Sequence, residues 1–460
     1  MLVQEDTIAA IATPKGVGGI GIIRISGPKA EEIGHRLFKP QKCSFPLQSH
    51  HLYYGNIVSL DTGAILDEAL LSIMRKPHSY TGEDTIEINC HGGPIVLEAV
   101  LHEAVKAGSR LAEPGEFTKR AYLNGRLDLA QAEAVIDLIM AQSNRGLSLA
   151  LSHLKGNVSQ KVHSLRSSLI EILAHLETLI DFTEEDINIS PSSELADAVQ
   201  HIIDDIEEIL ATYSEGKTVR DGLSIIITGK PNVGKSSLLN RLLGEKRAII
   251  TPIPGTTRDF IEEALLIKGI PVKLIDTAGI REVKDQIEAE GIKLVWEKIS
   301  SADIVIILLD GSTRITEEDL EVIEKNKGKE IILAVNKSDL PSQIQDNDLG
   351  MTVSGVDPIW ISAKYGDGIP QLTEKIYELA VGNKRTTESD VVLSNLRHKV
   401  AFEKARDLLT VAYNTILQGL SPELAAFDIK ESLEHLGDII GETTNEDVLD
   451  RIFSTFCIGK

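Results

Sequence analysis

The sequence predicts a multidomain chain: an α/β domain with a doubly wound sheet, inserted in an all-α helical domain and preceded by an α+β N-terminal domain. Three observations predict it. A length of 460 residues is too great for one ordinary hydrophobic core. Residues 223–380 alternate short apolar runs with longer amphipathic stretches, whereas residues 160–215 and 396–440 carry apolar positions at helical spacing. Residues 1–119 mix strand-like runs with one helical pattern. The expected segments are 1–119 for the N-terminal domain, 120–216 and 386–460 for the two parts of the helical domain, and 217–385 for the inserted α/β domain.

In the N-terminal block "GGIGIIRIS", "EALLSIM" and "DTIEIN" read as strands and "PIVLEAVLHEAVKAG" as a helix. The first helical flank repeats Leu165, Leu169, Ile172, Leu176 and Leu179, then Ile202, Ile206 and Ile209; the second repeats Leu396, Val400, Leu408, Ile416, Leu433 and Leu436. Between them "LSIIITG", "VKLIDTAG", "DIVIILLD", "EIILAVNKSD" and "DPIWISAK" are short apolar runs of the kind buried on both faces of a parallel sheet. Ligands are then expected beyond the carboxyl ends of those strands.

A hydrophobic content of 42% and a charged content of 25% belong to a soluble globular chain. The start "MLVQEDTIAA" has no basic n-region and no long apolar core, so no signal peptide is expected, and no apolar run approaches membrane-spanning length. Cys43, Cys90 and Cys457 lie far apart and give neither a disulfide framework nor a zinc spacing, which fits a reducing cytoplasm. The net charge of −22 includes no basic arm and excludes an indiscriminate electrostatic grip on nucleic acid. Any nucleic-acid partner must be held by a local patch or by a second protein.

The chemistry lies in four ordered motifs. "GKPNVGKSS", residues 229–237, follows the strand-like "LSIIIT" and fits a phosphate-binding loop. Backbone amides around Asn232, Val233 and Gly234 wrap phosphates, Lys235 reaches the β and γ groups, and Ser236, with Ser237 beside it, is placed to ligate Mg²⁺. "DTAG" (Asp276, Thr277, Ala278, Gly279) resembles the loop that meets a γ-phosphate. "NKSD" (Asn336, Lys337, Ser338, Asp339) ends a strand, and its aspartate can accept from the ring N1–H and exocyclic amine of guanine. With "SAK" (Ser362, Ala363, Lys364) following in order, the nucleotide expected is GTP.

Between the first two motifs lies a loop of switch type: Thr251, Pro252, Ile253, Pro254, Gly255, Thr256 and Thr257. Thr257 adds a hydroxyl to Mg²⁺ once a γ-phosphate orders such a loop. The side-chain oxygen of Asn232 and the carbonyls of residues 251–256 can together surround a monovalent cation. Ile280 stands where small GTPases keep a water-orienting glutamine and can make no hydrogen bond. Three decoys are set aside. "GVGGIG" runs into a strand-like segment rather than a helix, "HGG" has no accompanying nucleophile elbow, and "CIGK" fits a prenylation box poorly.

Together with "ATPKGVGGIGIIRISG", "YTGEDTIEINCHGG", "PGEFTKRAYLNGRLDLAQAEA" and the terminal "FCIGK", these motifs make the chain resemble, over essentially its whole length, the MnmE (TrmE) family of tRNA modification GTPases. The resemblance implies a Ras-like G domain for the insert, and an N-terminal domain that forms a homodimer and binds reduced folate, as 5,10-methylene- or 5-formyl-tetrahydrofolate. It implies a flavin-dependent partner of the MnmG type, in a heterotetramer or larger complex. That complex adds a carboxymethylaminomethyl or aminomethyl-type group to C5 of the wobble uridine of certain tRNAs. By similarity the folate contacts fall on Arg24, Glu87, Arg126 and Lys460, and the K⁺ contacts on Asn232, Thr251, Ile253 and Thr256. Glu288 matches the family's water-orienting glutamate and joins Lys235 as a catalytic residue; Cys457 is a candidate for chemistry near the folate. A second function class stays open beside this one: a GTP-dependent RNA-binding or assembly switch without modification chemistry. A basic RNA-binding module would favour it, and none is visible.

Overall fold

The computed structural model describes residues 6–181, 192–246, 262–276, 302–344, 357–381 and 391–460. In chain order the first elements are β1 (Ile8–Ile11), β2 (Gly21–Ser26), α1 (Ala30–Leu37), β3 (Phe38–Pro40), β4 (Leu52–Val58), β5 (Ile65–Met74), β6 (Thr85–Cys90), α2 (Pro94–Lys106), β7 (Arg110–Leu111) and α3 (Glu116–Leu123). Helices follow: α4 (Leu129–Met140), α5 (Asn144–Leu154), α6 (Asn157–Asp181), α7 (Ser192–Ala211) and α8 (Tyr213–Asp221). Next come β8 (Leu223–Thr228), α9 (Lys235–Lys246), β9 (Glu262–Ile267), β10 (Ile270–Asp276), β11 (Ile304–Asp310), α10 (Glu317–Lys325), β12 (Glu330–Asn336), β13 (Ile359–Trp360) and α11 (Ile369–Val381). The final helices are α12 (Leu396–Leu417), α13 (Pro422–Ile440) and α14 (Glu446–Ser454). Two units emerge. One comprises Met1–Ile136, His153–His175 and Ile429–Lys460, the other Asp137–Ser152 and Leu176–Asp428.

The first unit is built on a seven-stranded sheet in the order β3-β4-β5-β6-β2-β1-β7, antiparallel except where β7 joins β1. Side chains alternate across its pleat. Ile23, Ile25, Ile86, Ile88, Leu71 and Ile73 point to one face, where Ile33 and Leu37 of α1 and Leu97, Val100 and Ala104 of α2 cover them. The register sets Arg24 of β2 opposite Glu87 of β6, on the face away from that core. In the same unit Leu129 and Ala132 of α4 pack with Leu449 and Phe453 of α14 and with Phe456.

The second unit holds a six-stranded sheet, β13-β12-β11-β8-β10-β9. Every pairing is parallel except β9 with β10, a hairpin the apolar runs did not announce. Lys268 and Gly269 turn it with φ of 48° and 82°, the left-handed pair that a two-residue hairpin requires. The continuous apolar run of β11 is explained by its two faces. Ile304, Ile306 and Leu308 enter one core with α9 and α11, while Val305, Ile307 and Leu309 enter another with Ile323 of α10. On α12 the buried positions are His398, Ala401, Phe402, Ala405, Leu409, Ala412, Thr415 and Ile416, so the expectation holds for Ile416 and fails for Leu396 and Val400, which are exposed. Among the described residues no helix is long and apolar enough to cross a membrane.

An ion-pair network in the first unit is buried at its centre, Arg120 and Glu116, and open to solvent at Asp6 and Arg110. Arg120 of α3 donates to Glu116 at 2.9 Å and to Asp6 at 2.7 Å, and Arg110 donates to Glu116 at 2.6 Å. Burial pushes the Glu116 carboxyl up, but the bonds from Arg110, the Glu113 amide and Arg120 outweigh it and hold it below the ordinary glutamate range. A depressed carboxylate contributes stability above its unfolded value that is lost as pH falls through its folded value. Stability from Glu116 is thus present at neutral pH and disappears below the ordinary glutamate range. Glu116→Gln is expected to destabilise the chain by about 3 kcal/mol at pH 7 and to flatten its stability loss below pH 4.5. Thermal unfolding of both chains from pH 7 to pH 3 checks this; parallel curves would remove Glu116 as a source of the acid sensitivity.

Candidate functional site

The nucleotide motifs converge where sheet topology predicts, at the carboxyl ends of β8, β10, β11 and β12. β8 runs into a loop whose backbone turns left-handed at Gly229, Asn232 and Gly234, with φ of 148°, 61° and 103°. Lys235 then begins α9, so the amides of its first turn have no intrahelical partner and face the loop as anion donors. Gly234 is required twice over. Besides its φ, a Cβ there would lie 2.2 Å from Nδ2 of Asn336. The Lys235 ammonium donates to the carbonyls of Gly229 at 2.9 Å and Lys230 at 2.7 Å. Ser236 and Ser237 are exposed in the first turn of α9, and Val233 is buried beneath the loop.

The base side is built by β12 and the loop after β13. Asn336 is 4% exposed. Its Nδ2 donates to the Val233 carbonyl at 2.7 Å, and its Oδ1 accepts from the Ala363 amide at 2.9 Å. One carboxamide therefore ties the phosphate loop to the "SAK" loop. The Ser362 hydroxyl donates to Oδ1 of Asp339 at 2.7 Å, and the Ser338 amide donates to the Ile361 carbonyl at 3.0 Å. Asp339 is exposed and so available to a base, and Lys364 is exposed in the neighbouring loop. Arg241 of α9 braces that loop from behind, donating to the carbonyls of Ala363 and Lys364.

Lys337, at φ of 65°, pairs with Asp310 at 2.5 Å. Burial raises the Asp310 carboxyl, yet the bonds from Lys337 and Ser312 prevail and hold it below the ordinary aspartate range. Neither Asp310 nor Arg241 was singled out from the sequence. The position of Asp310 at the carboxyl end of a buried strand is the signal that marks it.

Asp276 closes β10 level with Ile227 of β8. Residues 251–257, 277–279, Ile280 and Glu288 lie outside the described residues, and with them the switch-loop and water-orienting assignments.

A second cluster forms in the first unit. Arg24 donates to Glu87 at 2.9 Å and to the Gly459 carbonyl at 3.1 Å, and its guanidinium lies over the rings of Tyr80 and Phe117, 5.5 and 5.6 Å from their centroids. The tail is stitched to the N-terminal domain. Ile458 bridges to Pro114, and Gly459 has φ of 93° with the Ile11 carbonyl only 2.5 Å from where a Cβ would sit. Lys460 is thereby delivered beside Arg24 and Glu87. Burial and then the Arg24 charge push its ammonium below the ordinary lysine value, with Glu87 and Cys457 acting the other way. Cys457 is exposed, whereas burial pushes the Cys90 thiol up to about 12. Arg126 is exposed in the turn after α3, and among the described residues nothing joins its side chain to the other three.

Two family profiles match the chain: "GTP-binding protein TrmE N-terminus" over residues 7–126 and "MnmE helical domain" over residues 129–457. The tRNA modification GTPase MnmE of Syntrophus aciditrophicus (strain SB) is 52% identical over 456 residues, covering 99% of this chain and 100% of the relative. That of Natranaerobius thermophilus is 43% identical, with the same coverages of 99% and 100%. Among solved structures, the G domain of the FeoB iron transporter of T. maritima is 29% identical, with a TM-score of 0.27, over 34% of this chain and 98% of that one.

Gly234→Ala is expected to weaken guanine-nucleotide binding about tenfold or more, because a strained backbone and a displaced Asn336 act on the same loop. Calorimetric titration checks it, and wild-type affinity in the variant would show that the loop tolerates a side chain.

Proposed function

The chain belongs to the MnmE family of tRNA modification GTPases, and from that premise we propose that it modifies the wobble uridine of certain tRNAs together with a flavin-dependent partner. It binds and hydrolyses GTP, as its family does. In the reading proposed here, residues 1–119 form the folate-binding and homodimerising domain, 120–216 with 386–460 the helical domain, and 217–385 the G domain. A reduced folate supplies one carbon to the group added at C5 of the uridine.

The observation that carries the modification half is the stitched tail, which places Lys460 beside the Arg24–Glu87 pair. Two cations next to a carboxylate suit a ligand that bears carboxylates at one end and ring N–H donors at the other. Lys460→Ala is expected to weaken reduced-folate binding while GTP affinity holds. In cells whose only copy carries that change, the modified wobble nucleosides of bulk tRNA should fall. Unaltered nucleosides in cells lacking the gene altogether would instead support a GTP-dependent RNA or assembly switch.

For hydrolysis, the exposed Ser236 hydroxyl, beside the phosphate loop, fits Mg²⁺ together with Thr257. The exposed carboxamide of Asn232, held at a left-handed turn, fits a monovalent cation together with the carbonyls of Thr251, Ile253 and Thr256. Such a cation supplies fixed positive charge, the work an arginine finger does elsewhere. The chain's own residues do the rest. Lys235 binds the β and γ groups, Asp339 holds the base, and Glu288 orients the attacking water in place of a glutamine at Ile280. Turnover is expected to be much faster in K⁺ than in Na⁺, and Glu288→Ala should lower the rate constant on the order of tenfold or more with GTP binding little changed. Single-turnover hydrolysis in both salts decides each point: equal rates refute the cation role, and full activity of the variant refutes the role of Glu288.

A further inference from the structure

The "GKPNVGKSS" loop contains a second lysine that the phosphate-binding assignment leaves without a role. The Lys230 side chain is engaged by the start of α10. Its ammonium lies 2.6 Å from Oδ2 of Asp319 and donates to the Thr316 hydroxyl at 2.8 Å. Asp319 is not a surface partner: its side chain is 5% exposed. The same oxygen accepts from the Thr316 amide at 2.9 Å and the Thr316 hydroxyl at 3.0 Å, closing the capping box that starts α10. A buried carboxylate with three donors on one oxygen is a fixed point, and Lys230 is moored to it.

That mooring bears directly on Lys235. The two carbonyls that accept from its ammonium belong to Gly229 and Lys230, and they flank the Lys230 Cα on either side. Tethering the Lys230 side chain at its tip restrains its Cα, and with it the two peptide planes on either side. Pro231 adds to this, since a residue before proline is confined to extended backbone. An ammonium has three donors, and two held by rigid carbonyls set the pose in which the group meets phosphate oxygens.

We propose that Asp319, through Lys230, is a positioning residue for GTP turnover, holding the carbonyl cradle that aims Lys235 at the β and γ phosphates. This rests on the reading of residues 229–237 as the phosphate-binding loop. The connection between β11 and α10 thereby serves both ends of the nucleotide, because Asp310 at its other end holds Lys337 of the base motif.

The test is a double-mutant cycle on the full chain, with single-turnover hydrolysis of bound GTP and GTP affinity measured separately. Lys230→Met is the deciding variant, since it leaves the Thr316–Asp319 capping box in place. It is expected to lower the rate of bound GTP on the order of tenfold and affinity by less. Asp319→Asn should do the same, the double variant should lose no more than either single one, and Lys230→Arg should recover most of the loss. A Lys230→Met rate within twofold of the wild type would overturn the proposal, as would losses that multiply in the double variant. Lys235→Ala in the same assay separates the two readings: if it binds GTP as the wild type does, the loop assignment itself has failed.

Discussion

The nucleotide site depends on one buried carboxamide. Asn336 is the place where the phosphate loop, the end of β12 and the "SAK" loop meet, and its two bonds serve Val233 and Ala363, which are far apart in sequence. A neutral side chain that donates on one atom and accepts on the other can bridge two backbones without a charge that burial would penalise. The close approach needed for this excludes a side chain at Gly234. Arg241, Asp310 and Lys230 then brace the pieces that Asn336 brings together. Among the described residues, the phosphate loop and the "SAK" loop are each held by a side-chain contact to another element.

The second cluster rests on a different constraint, the pleat of the N-terminal sheet. Because side chains alternate across a strand, the isoleucines that fill the core under α1 and α2 leave Arg24 and Glu87 on the opposite face. A slip of one residue would send the guanidinium into the core. The aromatic rings of Tyr80 and Phe117 then lie against that guanidinium. The ion pair is partly buried, so its cation and its carboxylate are held in one pose instead of sampling solvent.

Where sequence and structure agree, the cause is local. The strands β8, β11 and β12 were legible because a strand buried on both faces must be apolar throughout, and the phosphate loop because its glycines and lysine sit at a spacing few other loops need. The β9 edge was not legible, since it begins with two glutamates and pairs on one side alone. Helical spacing marked α12 as a helix and Ile416 as inward, but not the rest of its inward side: Leu396 and Val400 fall on the exposed face, and Leu409 rather than its neighbour Leu408 is fully buried. The contacts that no local pattern carries are the long-range ones. Lys230 meets Asp319, and Arg24 meets the tail, only once the fold is made. The N-terminal and C-terminal strings pointed to Arg24, Glu87 and Lys460 through family resemblance, not through any chemistry readable at those positions.

The stitching of the tail has a consequence for how the protein comes into being. Arg24 and the Gly459 carbonyl are 435 residues apart in sequence, so a ribosome must emit nearly everything described before the two can meet. The described parts of the nucleotide site, by contrast, lie between β8 and the "SAK" loop and are synthesised before the last helices. Of the two sites, the Arg24 cluster is therefore the one whose described parts are all present last during synthesis.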